Sequence, residues 1–148
     1  MRHSHTKMAA KLQVGIDLIL HATEDPAKLF AAFEEYGLEE DDFAVSYQTG
    51  HFDNPIAVAS ARLSGEAAVA FAKSLISRIP AEPFDEILDG LGLAASGAGM
   101  HIRLDRQEFV NGRLALRQQN PIKIKIFRPV YRKDEIQETY RSLLGSFR

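Results

Sequence analysis

Alternation of apolar and polar residues is the feature of this sequence that most constrains its fold. Every second residue from Leu12 to Leu20 is apolar, and the same holds from Ile122 to Ile126. Successive side chains of a β-strand point to opposite faces, so each segment predicts a strand with one buried face and one solvated face. The chain is therefore expected to form a sheet that is covered on one side.

Strand and helix patterns fill the rest of the chain in an order typical of an α+β protein. A second and a third strand, at residues 43–47 and 56–63, are predicted to be joined by a long turn that includes His51 and Asn54. Apolar residues at helical spacing predict helices near residues 23–36, 64–79, 82–91 and 133–144. The predicted fold class is α+β, with a single, mostly antiparallel sheet and helices packed on one face.

The last third of the chain is predicted to be a three-strand meander. Apolar and polar residues alternate at 100–105, 113–117 and 122–127. An Asn-Gly pair at 111–112 is a strong signal for a hairpin between the first two of these strands. The glycine-rich segment 90–99 that precedes the meander is expected to be a flexible connector.

Length and composition predict one globular domain, at residues 11–148. Residues 1–10 are expected to be a disordered tail or residues added during cloning. The chain has no cysteine, which excludes a disulfide framework and a thiolate metal site. No apolar run approaches the roughly 20 residues that a membrane helix needs. We therefore expect a cytoplasmic protein that uses neither a cofactor nor a metal and does not contact a membrane.

Charge is distributed unevenly along the chain although the net charge is only −2. Residues 34–89 contain twelve acidic and three basic residues, whereas residues 101–133 contain nine basic and two acidic residues. Such polarity is typical of a protein with one surface that faces an anion. The basic third coincides with the predicted meander.

The predicted meander would collect its cations on its solvated face. Alternation places Lys123, Lys125 and Phe127 on one side of the last strand, and it places the arginines of residues 113–117 on the open side of the middle strand. Cations bind phosphate, and an aromatic ring can stack on an unpaired base. A sheet that is covered on one side also needs polar residues on the other side without any ligand, and this simpler interpretation stays open.

Four segments, in this order and at this spacing, resemble a small archaeal family: His21–Asp25, Thr49–Ile56, Ile102–Gln107 and Ile122–Ile126. The family is described as predicted RNA-binding proteins or exosome subunits, with a fold similar to that of the large-subunit ribosomal protein that binds 5S RNA. The resemblance covers about residues 11–128. It implies that functional residues lie in the turn and at the end of the fourth strand: His51, Asn54, Arg103, Asp105, Arg106 and Gln107.

These observations predict a non-catalytic RNA-binding domain, either alone or as an accessory of an archaeal exosome-like RNA-processing assembly. Protein partners from such an assembly are expected beside RNA. Phosphate contacts are assigned to five cations: Arg103, Arg106, Arg113, Lys123 and Lys125. Local base or sugar contacts are assigned to His51, Asn54 and Phe127.

Two alternative functions stay open from the sequence. One is a protein-interaction adaptor whose acidic middle docks a basic partner. The other is a metal-dependent RNA hydrolase, in which His51, Asp53 and Asp105 hold a cation together with His21 or Asp17. The residues of the turn would equally serve to hydrogen-bond its backbone, so their spacing alone does not favour catalysis.

Overall fold

The computed structural model describes residues 11–49 and 55–148. Within them the chain forms a six-stranded antiparallel sheet with the strand order β2-β3-β1-β6-β5-β4. The strands are β1 (Gln13–His21), β2 (Ala44–Thr49), β3 (Pro55–Ser64), β4 (Ala95–Ser96), β5 (Gly99–Leu104) and β6 (Ile122–Phe127).

The helices complete an α+β fold, as predicted. They are α1 (Pro26–Glu34), α2 (Gly65–Ile76), α3 (Ala81–Asp89), α4 (Leu91–Ala94), α5 (Arg106–Val110) and α6 (Ile136–Ser146). Two short 3-10 turns span Glu40–Asp42 and Lys133–Glu135. No helix in the described part of the chain is both long and apolar enough to cross a bilayer.

The alternation in the sequence is reproduced in the burial of the strands. In β6 the isoleucines 122, 124 and 126 are fully buried, while Lys123, Lys125 and Phe127 between them stay partly exposed. In β1 the alternate residues Val14, Ile16, Leu18 and Leu20 are buried in the same way. The prediction of a sheet with one buried and one solvated face is confirmed for these strands.

The prediction of a middle strand in the meander is wrong. Residues 106–110 form helix α5, because Asp105 caps it by accepting a hydrogen bond from the Glu108 N–H at 3.0 Å. The Asn-Gly pair ends this helix instead of turning a hairpin, and Gly112 has a φ of 83°. Residues 113–117 then form no strand, and only Leu116 bridges to Leu104 of β5.

The structure of the glycine-rich segment 90–99 also differs from the predicted flexible connector. It contains α4 and the short strand β4, which pairs with β5 through Ala95–Met100 and Ser96–Gly99. Gly99 has a φ of 123°, and a Cβ there would lie 2.8 Å from the Ile126 carbonyl oxygen. The position requires glycine because the neighbouring strand leaves no space for a side chain.

The first of two compact units comprises the described residues 11–14 with Leu63–Ile102 and Lys125–Arg148. The buried Tyr140 of α6 makes two hydrogen bonds of 3.2 Å, in which its hydroxyl accepts from the Arg128 N–H and donates to the Arg128 carbonyl. Burial raises the pKa of the Tyr140 hydroxyl, and the bond from the Arg128 backbone opposes this shift. The tyrosine thereby fixes α6 to the residue that follows β6.

The second unit comprises Gly15–Arg62 and Arg103–Ile124. Aromatic side chains pack α1 against α5: the ring centroids of Phe33 and Phe109 are 4.7 Å apart, and Tyr36 stacks on Phe109 at 5.5 Å. Phe43 closes this cluster at 4.9 Å from Phe33. Such contacts stabilise by roughly 0.5–1.5 kcal/mol per pair beyond area burial. They fix the position of the short helix α5, which has too few residues to be stable alone.

Candidate nucleic-acid interface

Three cations lie on the outer side of strands β5 and β6, and we call them the strand cations: Arg103, Lys123 and Lys125. Each alternates with fully buried apolar neighbours, so its side chain points away from the core. None of the three forms an ion pair with a carboxylate of residues 11–49 or 55–148. Their charge is therefore not neutralised within the described structure.

The side chain of Lys125 lies next to Gly99 of the neighbouring strand β5. Its Cε atom lies 3.1 Å from the point where a Cβ of Gly99 would be, so the lysine stem crosses the space that this glycine leaves free. Phe127 follows two residues later on the same side of β6 and is half-buried. β6 thus presents two cations and one aromatic ring in a row, a combination that binds single-stranded nucleic acid in other proteins.

Three arginines outside the strands are paired instead, and we call them the paired arginines: Arg106, Arg113 and Arg117. Arg113 donates to Glu108 at 2.7 Å and Arg117 approaches Asp105 at 3.5 Å. The hydrogen bond and the charge of Glu108 raise the pKa of Arg113. Arg106 forms an ion pair with Glu24, and its side chain is only 11% exposed. These arginines share their charge with a neighbour in the second unit.

A polar cavity of about 500 Å³ opens beside Arg106. Its walls come from the end of β1, the start of α1, helix α5 and the loop before β6: His21, Glu24, Asp25, Lys28, Leu29, Asp105, Arg106, Gln107, Val110, Asn111, Arg117, Gln119 and Asn120. Glu24 orders this wall, since it accepts from the His21 backbone N–H at 2.9 Å and pairs with Arg106.

Two buried atoms of residues that line the polar cavity have no hydrogen-bond partner in the described part of the chain. Neither Nε2 of His21 nor Nη1 of Arg106 has a hydrogen bond to any residue that the structure describes. Most buried polar atoms in proteins are hydrogen-bonded, so each such atom calls for an explanation.

A smaller cavity of about 250 Å³ shares Arg106 and Asn120 with the polar cavity. Its remaining walls are largely apolar and include Ile19, Val58 and the strand cation Lys123. Asn120 has a φ of 45°, a left-handed conformation that asparagine tolerates better than most residues. The two cavities and Lys123 therefore lie side by side in the second unit.

The structure separates the residues that the sequence grouped. Arg103, Lys123, Lys125 and Phe127 lie on the solvated side of their strands, as expected. Arg106 and Arg113 lie on and after α5, where carboxylates neutralise them, so they are not part of a sheet face. His51 and Asn54 lie outside the described residues, as do the N-terminal residues 1–10.

Sequence reasoning missed most of the polar cavity. Lys28, Gln119 and Asn120 line the cavity but lie outside the segments that the sequence analysis singled out for function. The resemblance included the segments of both Arg106 and Glu24, but it did not indicate that these two residues form an ion pair. Among the residues described, no group of three or more His, Asp or Glu side chains could hold a metal ion.

Comparisons with known proteins agree with this architecture. A family model described as RNA binding matches residues 13–127. A DUF54 protein of Archaeglobus fulgidus is 27% identical with a TM-score of 0.75, and the match covers 88% of this chain and 97% of that chain. The DUF54 protein of Sulfolobus solfataricus is 23% identical with a TM-score of 0.71, over 90% of this chain and 98% of that chain. No curated protein is a significant match.

A third solved structure has the same fold. The DUF54 protein of Methanothermobacter thermautotrophicus is 24% identical with a TM-score of 0.69, and the match covers 89% of this chain and 96% of that chain. The structural relatives therefore share the fold over almost their whole length. The predicted likeness to a ribosomal protein and the exosome association stay predictions.

Proposed function

The chain belongs to the family whose model is described as RNA binding, and on that premise we propose that it binds RNA through the strand cations Arg103, Lys123 and Lys125. The observation that carries the proposal is their lack of any carboxylate partner among the described residues. An unpaired cation on a solvated strand can exchange its counterion for a phosphate at little cost.

Phe127 adds a second type of contact. A half-buried aromatic ring next to two lysines offers a stacking surface for a base while the lysines hold the backbone. Stacking contributes roughly 1–3 kcal/mol per base in proteins that bind single strands. The proposal is therefore for single-stranded RNA, bound without chemical change.

Salt dependence tests the proposal directly. The affinity for a fluorescent uridine strand is measured by anisotropy at several salt concentrations. Three phosphate contacts predict a slope of about −2 in a plot of log affinity against log salt, since each contact on a single strand contributes about −0.7. A flat plot, or no binding at any salt concentration, would reject the strand cations as the RNA site.

The finer predictions belong to this proposal and need tests of their own. His51 and Asn54 are proposed to add local contacts from the turn, and His51→Ala should weaken binding without abolishing it. Incubation of RNA with the protein and Mg²⁺ should leave the RNA intact, whereas cleavage that His51→Ala stops would favour the hydrolase. A cytoplasmic role beside an exosome-like assembly predicts co-purification with RNA-processing proteins. Co-purification without RNA affinity would favour an adaptor.

A further inference from the structure

We propose that strand β2 pairs edge to edge with β2 of a second copy of this chain, antiparallel and about a two-fold axis at Ser46. The inference goes beyond the proposed function, because β2 carries none of the strand cations. In the described part of the chain β2 lies at one end of the sheet and pairs with β3 alone. The backbone groups on its outer side are therefore available to another strand.

Strand β2 lacks the features by which sheet edges usually avoid such pairing. Proteins protect an edge with charged residues, with proline, with a β-bulge or with a very short strand. Residues 44–49 (AVSYQT) contain neither a charge nor a proline. They pair with β3 one to one, from Ala44 with Ser60 to Thr49 with Pro55, so the pairing contains no bulge. The edge is therefore open over the six residues of β2.

The opposite edge of the sheet is protected. It is formed by β4, which has only the two residues Ala95 and Ser96. Such a short strand offers too few backbone groups to hold another strand. The six residues of β2, in contrast, match the typical strand length of about 5–6 residues. Of the two edges in the described sheet, β2 is the one that can pair further.

Two exposed apolar side chains on β2 indicate what the added strand covers. Val45 is 38% exposed and Tyr47 is 84% exposed. They pair with the buried Ala59 and Ala57 of β3, so both belong to the face of the sheet that carries the core. A further strand beside β2 would cover both side chains with its own residues on that face.

A second copy of β2 fits this edge because the strand is complementary to itself. Residues directly opposite each other in a sheet share a face, so a two-fold axis at Ser46 keeps the core-bearing faces of both copies on one side. Val45 of each copy then lies opposite Tyr47 of the other. Cross-strand pairs of an aromatic and a β-branched residue stabilise a sheet by roughly 0.2–1 kcal/mol each. The ladder adds about four to six backbone hydrogen bonds.

The acidic residues before β2 favour the antiparallel arrangement. Residues 39–42, two glutamates and two aspartates, are all exposed. A parallel pair of β2 strands would place the two acidic segments side by side, where they repel each other. Antiparallel pairing about Ser46 separates the two Ala44 residues by four positions, or about 14 Å. This separation exceeds the Debye length of ~8 Å at physiological ionic strength.

Single cysteines test the pairing, because the chain has no cysteine of its own. In the proposed register residue 46 lies opposite itself, with about 4.5–5.5 Å between the two Cα atoms, a distance that a disulfide spans. Ser46→Cys should therefore form a covalent dimer under mild oxidation, as measured by non-reducing gel electrophoresis.

Gln48→Cys is the matched control on the same strand. The two copies of residue 48 would be four positions apart, or about 14 Å, which is too far for a disulfide. Ser46→Cys should form the covalent dimer at least about tenfold faster than Gln48→Cys, because pairing raises the effective concentration of its two thiols.

Sedimentation velocity of the full chain without RNA tests the association itself. One strand pair is a small interface, and small interfaces are typical of weak complexes, so we expect a dissociation constant in the micromolar range. Ser46→Lys places like charges directly opposite each other and should weaken the dimer at least about tenfold. Ser96→Lys makes the same substitution at the β4 edge and should leave the dimer unchanged. Circular dichroism checks that both variants fold.

Three results would overturn the proposal. One is a chain that stays monomeric at its highest soluble concentration. Another is a dimer that Ser46→Lys leaves intact, because the interface would then lie elsewhere. The third is equal or faster cross-linking of Gln48→Cys, which would contradict the antiparallel register. Because RNA is absent from both experiments, a failure of the proposed RNA binding would leave these results unchanged.

Discussion

Strand β6 and the segment 105–117 both carry cations, but they differ in how these cations are held. Lys123 and Lys125 project from a regular strand and have no carboxylate partner among the described residues. Arg113 and Arg117 lie in an irregular segment, and each is paired with an acid that the same segment supplies. Because one surface leaves its charge available and the other neutralises it, counting basic residues along the sequence overestimates the phosphate-binding surface.

The largest effect is expected from reversing the charge of β6. Lys123→Glu with Lys125→Glu should weaken binding of a uridine strand at least about hundredfold, because two phosphate contacts become repulsive. The salt slope should fall to about one third of its original value. The matched control is Lys73→Glu with Lys133→Glu, which makes the same charge change at exposed positions on α2 and a 3-10 turn.

Fluorescence anisotropy measures both double variants, and circular dichroism checks that they fold. An equal loss of affinity in the control would mean that overall charge, and not β6, holds the RNA. In that case the difference between the two regions would have no functional meaning.

The second effect concerns stability and tests the paired region. Glu24→Gln leaves the nearly buried guanidinium of Arg106 without its counter-charge. We expect the free energy of unfolding to fall by about 2–3 kcal/mol, somewhat below the loss typical of a fully buried pair, since Glu24 is 27% exposed. Urea unfolding measures this change. The double variant Glu24→Gln with Arg106→Gln should be more stable than Glu24→Gln alone, because no unpaired charge is left buried. If the double variant were less stable than Glu24→Gln, the loss of the counter-charge would not explain the destabilisation.

The third effect tests whether the position of a strand cation matters as well as its charge. Gly99→Ala forces a Cβ to within 2.8 Å of the Ile126 carbonyl at a φ of 123°, next to the stem of Lys125. We expect a loss of about 1–3 kcal/mol in the free energy of unfolding and a several-fold weaker affinity for RNA at unchanged net charge. Gly97→Ala, in the same hairpin with no atom near its Cβ, is the control. If Gly99→Ala were destabilised but bound RNA with unchanged affinity, Lys125 would have taken another conformation without loss of binding. The position of this cation would then not matter.

The smallest effect is expected at an exposed paired arginine. Arg113→Gln should change RNA affinity by less than about twofold, because Glu108 already holds this guanidinium and exposed pairs contribute at most about 1 kcal/mol. Arg103→Gln, which removes a strand cation, is the comparison and should cost about five- to tenfold. If Arg113→Gln weakened binding as much as Arg103→Gln, the division into strand cations and paired arginines would be wrong.

The sequence predicted the parts of this fold whose signal is periodic. The alternation in Leu12–Leu20 and Ile122–Ile126 identified β1 and β6 and the side of each that faces solvent. Residues 113–117 alternate equally well yet form no strand. Two interactions favour helix α5 at the start of this region: the local cap by Asp105 and the tertiary contact between Phe109 and Phe33. Alternation of apolar and polar residues does not reveal either of them.

The polar cavity could not be predicted from the sequence, for a different reason. Arg106 and Glu24 are 82 positions apart, and nothing near either residue in the sequence reveals that the ion pair forms. The sequence could therefore name Arg106 as a cation but not show that its charge is neutralised and one of its N–H groups left buried. Only the packing of α5 against α1 establishes that arrangement.

The glycine at position 99 has a consequence for the entropic cost of binding a phosphate through Lys125. Because Gly99 has no side chain, the stem of Lys125 can pack against the backbone there, and its Cε atom lies 3.1 Å from the position that a Cβ of Gly99 would take. Ordering a long lysine on association normally costs about 0.5–1.5 kcal/mol. If packing on Gly99 already limits the motion of this stem, we expect a phosphate contact of Lys125 to carry a smaller entropic cost than that of a lysine on an open surface.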